Sequence, residues 1–194
     1  ENGSWNATNT ASKRPSNMAH TMWAVIGLAG AYGPERTGAL HIVKQRGEKP
    51  ATPNLEIVLD VSGSMNTKLG DSTRWKTALD VLKQVTDALP EDMKVGLRVY
   101  GHRYSSKSAE TCTDTQLVVP LQKLDRDRIM KTASGLRPRG ETPLIRSVLQ
   151  TVGDLKAAGG GSVILITDGE ESCQGNPVAA AAELKADLLV MGAV

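Results

Sequence analysis

Short apolar runs alternate with longer amphipathic stretches along most of the chain. Four runs are nearly all apolar or alternate strictly, which predicts strands of a sheet that is covered on both faces: 55–61, 94–101, 162–172 (a strand that ends in an acidic turn) and 187–194. A further run at 116–121 contains Pro120, which cannot donate a ladder hydrogen bond and therefore suits an edge strand.

The stretches between these runs have the spacing of helices. Between 72 and 90, apolar residues recur at three- and four-residue intervals and predict one buried stripe: Trp75, Ala78, Leu82, Val85 and Leu89. Ser72 or Asp71 is expected to cap this helix, and Pro143 is expected at the first position of another. Helices are also predicted at 125–136, 142–160 and 176–186. Alternation of strands with helices predicts an α/β fold, with a doubly wound, mostly parallel sheet, helices on both faces and one antiparallel edge strand.

The first 53 residues have a different character and are predicted to form an N-terminal extension to a domain at 54–194. Residues 1–17 are polar and show no apolar period, which is typical of a loosely attached segment. The apolar stretch at 22–32 is too short to span a membrane as a helix. It suits either the centre of a signal peptide or an element packed on the main domain, and both interpretations stay open.

Composition narrows the possible partners and the possible chemistry. The chain has 194 residues and a formal net charge of +2, which gives no strong attraction to nucleic acid or to an acidic membrane. Membrane contact is expected only through the N-terminal stretch. The two cysteines, Cys112 and Cys173, are either two buried thiols or one disulfide, because a zinc finger needs closer spacing and more ligands.

Polar residues follow two of the predicted strands directly. Asp60 ends the first strand and is followed by Ser62 and Ser64, while Asp168 ends the strand in "VILITDGEE". Thr142 stands at the start of a predicted helix. Since the carboxyl ends of parallel strands meet at one edge of the sheet, these five residues are expected to converge there. Carboxylate and hydroxyl oxygens suit a hard cation, so the sequence predicts a site for Mg²⁺, with Mn²⁺ or Ca²⁺ as alternatives.

Each of these residues alone has a simpler explanation. Serine and aspartate are common in loops, Thr142 alone is most simply a helix cap, and Asp168 alone is a turn residue. The combination after two apolar strands favours the metal site.

The same residues resemble the von Willebrand factor type A (vWA) domain and its metal-ion-dependent adhesion site (MIDAS). The matching segments are Asp-x-Ser-x-Ser at 60–64 in "LDVSGSM", Thr142 in "GETPL" and Asp168 in "ITDGEE". The resemblance covers 54–194. It implies that the serines and Thr142 coordinate the metal, and that the two aspartates bind it directly or through water. It further implies a non-enzymatic adhesion module whose cation captures an acidic side chain of a partner protein, with no small-molecule substrate.

A further resemblance is to bacterial secreted members of this family. The segments "VYGHRYSSKSAETC" and "TDGEESC" carry it. It implies a disulfide between Cys112 and Cys173 that pins two loops over the metal site, and an extracytoplasmic location (periplasmic, cell-surface or secreted).

Charged residues near this edge are predicted to tune partner selection rather than to hold the metal: His102, Arg103, Arg137, Arg139, Glu170 and Glu171. For His102 and Arg103, a solvated turn is the open alternative.

Two other functions fit the sequence less well. An aspartyl-phosphate hydrolase needs a second aspartate where Ser62 stands, and the chain has no nucleophile elbow and no phosphate-binding glycine loop after a strand. A structural vWA subunit of an intracellular assembly fits less well with a cysteine pair and a signal-like stretch. The family usually continues beyond "LLVMGAV" with a helix, a strand and a final helix, so a C-terminal truncation is expected.

Overall fold

A computed structural model describes residues 54–169 and 171–176, and the backbone of 187–192. All of these lie in the compact unit Pro53–Val194. The predicted N-terminal extension, Glu170 and the part of the predicted helix from Pro177 to 186 fall outside the described residues. The prediction of a domain boundary at 53/54 stays a prediction.

The sheet has the predicted α/β architecture. The strands are β1 (Asn54–Asp60), β2 (Lys68–Leu69), β3 (Ser72–Thr73), β4 (Lys94–Tyr100), β5 (Thr115–Lys123), β6 (Ser162–Thr167) and β7 (Asp187–Gly192). The main sheet has the order β5-β4-β1-β6-β7, and β2 pairs with β3 in a small hairpin. Only the β4–β5 pair of the main sheet is antiparallel among the described strands. The run that contains Pro120 is therefore the antiparallel edge strand that was predicted.

Helices cover both faces of the sheet. They are α1 (Arg74–Ala88), α2 (Arg126–Ser134) and α3 (Leu144–Ala157). On one face, Leu55, Ile57 and Leu59 of β1 pack with buried side chains of α1 and α2. Burial of this apolar surface is the main term that holds the sheet and these helices together.

The other face of the sheet carries a buried ionic network beneath α3. Glu56 of β1 is fully buried, and its Oε1 accepts a hydrogen bond from Arg98 Nε of β4 at 2.8 Å. Arg98 Nη2 also donates to Asp154 of α3. A single guanidinium thus joins two strands of the sheet to the helix above them.

Two helix starts differ from the sequence prediction. Thr73 caps α1, accepting a hydrogen bond from Lys76 N at 3.2 Å, because Ser72 is paired with Leu69 in the β2–β3 hairpin. The prediction that Ser72 or Asp71 is the cap was therefore wrong. Pro143 lies at the cap of α3, one position before the expected one, so Thr142 precedes the cap.

None of the described helices combines the length and the apolar character that a membrane crossing requires.

Candidate cation-binding site

The carboxylate at the end of β1 is enclosed by the protein. Asp60 is 0% exposed, and its Oδ1 accepts a hydrogen bond from Ser62 N at 2.8 Å. Its Oδ2 accepts a hydrogen bond from Thr167 Oγ1 at 2.8 Å, and this bond links the end of β1 to the end of β6. Because β1 and β6 run parallel and side by side, the ends of both strands lie at the same edge of the sheet.

The two serines lie on the loop that leaves β1. Ser62 is buried and Ser64 is exposed, and their Oγ atoms are 2.9 Å apart. Gly63–Asn66 forms a short 3-10 helix, which turns the chain back immediately after the strand. Two hydroxyl oxygens are thus held together next to the Asp60 carboxylate.

Asp168 and Asp60 differ in their charge partners. The side chain of Asp168 is 4% exposed, and its Oδ2 accepts a hydrogen bond from Arg74 Nη1 of α1 at 2.9 Å. Asp60 forms no ion pair with any residue that the structure describes. Burial raises the pKa of Asp60, and the negative charge of Asp168 raises it further, although the hydrogen bonds from Ser62 and Thr167 oppose this.

Thr167 connects the ends of three strands. Its Oγ1 donates to Asp60 and accepts hydrogen bonds from Tyr100 Oη of β4 at 3.1 Å and from Gly169 N at 3.0 Å. Burial raises the pKa of Tyr100 well above its usual range, and the Asp60 carboxylate adds to this, so Tyr100 remains a neutral donor. The polar groups around Asp60 are therefore fixed by hydrogen bonds from β4 and β6.

The segment that carries Thr142 packs against the loop after β1. Gly63 N donates to Gly140 O at 2.8 Å, and Ser62 forms an isolated parallel bridge with Gly140. At Gly101 (φ +71°), an added Cβ would lie 2.7 Å from Glu141 O and 2.8 Å from Ser62 Cα. Only glycine tolerates both this φ and this approach, so Gly101 permits the close packing that brings the 140–142 segment beside Ser62.

The structure therefore brings Asp60, Ser62, Ser64 and Asp168 to one edge and places the Thr142 segment beside them. Their role as metal ligands stays a prediction. Among the described residues there is no cluster of three or more His, Cys, Asp or Glu side chains with the geometry of a metal site. The predicted ligand set contains only two carboxylates and takes its other oxygens from hydroxyls.

One predicted rim residue, Arg103, is held by a buried carboxylate that the sequence analysis did not single out, and a second, His102, lies near it. Asp114 is fully buried and accepts hydrogen bonds from Arg103 N and Arg103 Nε, each at 2.7 Å. His102 Nδ1 lies 3.7 Å from Asp114 Oδ1, and its Nε2 is 3.2 Å from Gln116 Oε1. Burial lowers the pKa of His102, with Asp114 acting in the opposite direction. Arg103 thus stabilises the loop between β4 and β5 from within, whatever it contributes to partner selection, while His102 Nδ1 has no hydrogen-bond partner among the described residues.

Glu171 likewise has a structural role. Its Oε2 accepts a hydrogen bond from Ile145 N in the first turn of α3 at 2.8 Å, and its Oε1 accepts one from Cys173 N at 2.7 Å. A carboxylate at this end of a helix satisfies a free N–H and interacts favourably with the helix dipole. Arg139 is exposed and donates to Arg103 O at 3.3 Å, while Arg137 bonds only to nearby carbonyls in its own loop.

The predicted disulfide is confirmed. Cys112 and Cys173 form a bond with an S–S distance of 1.99 Å and a Cα–Cα distance of 5.3 Å. It joins the loop after β4 to the turn after β6, the two strands that flank β1.

Sequence reasoning missed three residues that shape this site: Arg74, Thr167 and Asp114. Thr167 directly precedes Asp168 and ends a buried strand, so its position was a usable signal. Arg74 lies 94 residues from Asp168 in sequence, and Asp114 is separated from Arg103 by a polar loop, so no local periodicity links either residue to its partner.

The fold and the sequence have clear relatives. A sequence profile described as von Willebrand factor type A domain matches residues 55–171. The uncharacterized protein YwmD of Bacillus subtilis is 34% identical over 145 residues, which are 72% of this chain and 65% of YwmD. A von Willebrand factor type A protein from Catenulispora acidiphila shares the fold with a TM-score of 0.56 and 19% identity, covering 73% of this chain and 33% of that one.

The manganese-loaded TRAP protein of Plasmodium vivax also shares the fold, with a TM-score of 0.53 and 18% identity. That match covers 73% of this chain and 57% of TRAP. The chain thus spans less than two thirds of YwmD and of both structural neighbours. Since the profile covers most of the described domain, the chain belongs to the von Willebrand factor type A domain family.

Proposed function

We propose that this domain is a protein-binding module that holds a divalent cation at the Asp60 edge of the sheet. The cation, Mg²⁺ or a similar ion such as Mn²⁺, captures an acidic side chain of a partner protein. The module acts outside the cytoplasm and performs no catalytic step.

The observation that carries this proposal is the unpaired buried charge of Asp60. Moving a carboxylate out of water costs several kcal/mol unless a positive charge or a sufficient set of hydrogen bonds compensates. Asp60 accepts two hydrogen bonds, and no cationic side chain among the described residues reaches it. A bound divalent cation would supply the missing positive charge.

The oxygen atoms nearby suit such a cation. The proposed ligands are the hydroxyls of Ser62, Ser64 and Thr142, with Asp60 and Asp168 binding directly or through water. Mg²⁺ prefers oxygen ligands and keeps several waters, so a site with few carboxylates is sufficient.

The charge balance favours capture of an anionic group. Arg74 already neutralises Asp168, so a divalent cation beside Asp60 would leave the site with a net positive charge. An open coordination position on such a cation attracts one further anionic oxygen, and an Asp or Glu side chain of a partner provides it.

Two further observations support the proposal. TRAP, which shares the fold, is manganese-loaded in its own structure. The Cys112–Cys173 disulfide suits an oxidising compartment and therefore an extracytoplasmic location.

Hydrolysis through an aspartyl-phosphate is disfavoured as an alternative function. That mechanism needs a general acid two residues after the aspartate, but Ser62 occupies this position and its hydroxyl is hydrogen-bonded to the Ser64 hydroxyl.

Calorimetry with Mg²⁺ and with Mn²⁺ tests the cation site. Asp60→Ala should weaken binding at least about 10- to 100-fold, the loss typical even of residues that only orient metal ligands. Asp92→Ala is the matched control, because Asp92 is exposed in the turn before β4, at the opposite end of the sheet. Ser62→Ala and Thr142→Ala should also weaken binding, Thr142 less for the metal and more for partner capture. Equal heats for wild type and Asp60→Ala would refute the site.

Affinity capture from the native surface or secretome, first with Mg²⁺ and then with EDTA, tests the partner. The retained protein should elute with EDTA and should not bind Asp60→Ala. Retention that is indifferent to EDTA would show that the cation is not the point of contact.

A further inference from the structure

The two residues that precede the disulfide cysteines both hold the segment that carries Thr142. Thr111 precedes Cys112, and Ser172 precedes Cys173. The bonds they make converge on two consecutive peptide units of this segment, at Glu141 and Thr142.

On the Cys112 side, Thr111 is buried and its Oγ1 accepts a hydrogen bond from Glu141 N at 2.9 Å. The segment packs closely here, since a Cβ added at Gly140 would lie 3.0 Å from Thr111 Oγ1 and 2.8 Å from Tyr104 O. Gly140 also donates its N–H to Gly101 O at 2.9 Å.

On the Cys173 side, Ser172 bonds to the same segment three times. Its Oγ accepts from Thr142 N at 2.8 Å and donates to Glu141 Oε2 at 2.6 Å, and its N–H donates to Thr142 O at 3.2 Å. Ser172 lies in the irregular turn after β6, which has no strand partner at this point. Glu171 in the same turn accepts a hydrogen bond from Ile145 N of α3 and so also anchors the turn.

We propose that the Cys112–Cys173 disulfide acts as a clamp that positions Thr142 for the cation site. This inference rests on the proposed function. The bond links the residue next to Thr111 with the residue next to Ser172, so Glu141 is held from the Cys112 side and Thr142 from the Cys173 side. Asp60 and Asp168 lie at the ends of β1 and β6, and the pairing of these strands does not involve the clamp. Ser62 also contacts the clamped segment, through its bridge to Gly140.

Removal of the disulfide should therefore loosen the Thr142 segment of the site. Without the disulfide, the turn with Ser172 gains freedom and the hydrogen bonds to Thr142 N and O become intermittent. Cation affinity should fall about 10- to 100-fold, as it does when groups that orient metal ligands are removed. The sheet should stay folded, because apolar burial on both of its faces holds it.

The experiment compares the oxidised full chain with the Cys112→Ser/Cys173→Ser variant under conditions where circular dichroism shows both to be folded. Amide hydrogen exchange is measured first, without metal. The amides of Glu141 and Thr142 should exchange at least tenfold faster in the variant, while amides of β1 and β6 should keep their rates. Mn²⁺ calorimetry on the same proteins should show the affinity loss.

Single substitutions with the disulfide intact provide a second arm. Ser172→Ala should reproduce part of the affinity loss and the faster exchange at Thr142. Thr111 and Thr113 flank Cys112 and form a matched pair, since Thr113 Oγ1 donates only to Glu110 O in its own turn. Thr111→Ala should speed exchange at Glu141, and Thr113→Ala should leave it unchanged.

The outcomes separate the two proposals. Unchanged exchange at Glu141 and Thr142 in the double variant would overturn the clamp. Faster exchange with unchanged Mn²⁺ affinity would also overturn it, because the clamp would then not serve the site. If the oxidised wild type binds no Mn²⁺, the proposed function fails and the clamp fails with it, although faster exchange would still show that the disulfide orders this segment.

Discussion

Arg74 Nη1 lies 2.9 Å from Asp168 Oδ2, so the carboxylate after β6 has a cationic partner, whereas the one at the end of β1 has none among the residues that the structure describes. The Asp168 side chain is nearly buried, whereas Arg74 is 36% exposed. One arginine therefore sets the charge of the proposed cation site. It lowers the attraction of the site for a divalent cation and raises the attraction of the loaded site for an anion.

Arg74→Gln is expected to move these two affinities in opposite directions. Removing the positive charge should tighten Mn²⁺ binding roughly tenfold, since charges a few ångströms apart near a protein surface interact by a few kcal/mol before screening. Capture of the acidic partner group should become weaker, because the loaded site loses positive charge. Calorimetry gives the first affinity and EDTA-sensitive partner capture gives the second.

Lys83→Gln is the control for this change. Lys83 lies on the same helix and pairs with Asp87, but both side chains are exposed. Removing such a pair should change neither affinity. Weaker Mn²⁺ binding in Arg74→Gln would contradict the prediction and would show that Arg74 orients Asp168 for the metal.

Glu56 should make the stability of the metal-free protein depend on pH. Burial raises the pKa of Glu56 to about 7 from 4.5, although Arg98 opposes this. The folded state then binds the proton of Glu56 more tightly than the unfolded chain does, so the contribution of Glu56 to stability is fully present below pH 4.5 and is lost as the pH rises through about 7. The loss is on the order of 3 kcal/mol.

Glu56→Gln isolates this effect, because the amide oxygen can still accept from Arg98 Nε. The difference in unfolding free energy between the two proteins, measured by urea titration in EDTA from pH 4.5 to 7.5, should change by that amount. A difference independent of pH would mean that Glu56 keeps its ordinary pKa in the fold.

The sheet was predictable because its signal is local. Leu55, Ile57 and Leu59 form one apolar face of β1, and Pro120 identified the edge strand. Helix starts were less predictable, since they depend on tertiary contacts. The β2–β3 hairpin takes Ser72 away from α1, so Thr73 becomes the cap.

The site was predictable only in part, for a similar reason. Asp60, Ser62 and Ser64 lie together in sequence, and parallel strands bring Asp168 to the same edge. Thr142 arrives there through the close packing of Gly101 with Glu141 and Ser62, which no periodicity encodes. The charge partner Arg74 also depends on tertiary structure, since it lies 94 residues from Asp168.

Glu171 should contribute to stability as well as to partner selection. Charge reversal there was predicted from the sequence to change partner affinity and to leave Mg²⁺ affinity nearly intact. Because both carboxylate oxygens accept backbone N–H bonds, Glu171→Lys should also lower the unfolding free energy by about 1–3 kcal/mol. Glu171→Gln should lower the unfolding free energy by less, since its amide oxygen keeps one of the two bonds.

Chemical denaturation and Mg²⁺ calorimetry check these expectations. Wild-type stability of Glu171→Lys would rule out the capping role, and a collapse of its Mg²⁺ affinity would place Glu171 among the metal ligands.

The unpaired charge of Asp60 leads to a prediction about stability with and without metal. In Asp60→Asn the buried negative charge disappears, while the amide oxygen can still accept from Ser62 N. In EDTA the variant should therefore be at least as stable as wild type. With Mn²⁺ at a hundredfold excess over its Kd, wild type should gain about 2.7 kcal/mol of unfolding free energy and the variant should gain almost none.

Asp92→Asn, at the opposite end of the sheet, is the control and should behave as wild type in both conditions. Thermal unfolding followed by circular dichroism, in EDTA and with Mn²⁺, measures the stability of wild type and of both variants. A marked loss of stability in EDTA would mean that the Asp60 carboxylate serves the fold itself, and an undiminished gain from Mn²⁺ would place the cation elsewhere in the protein.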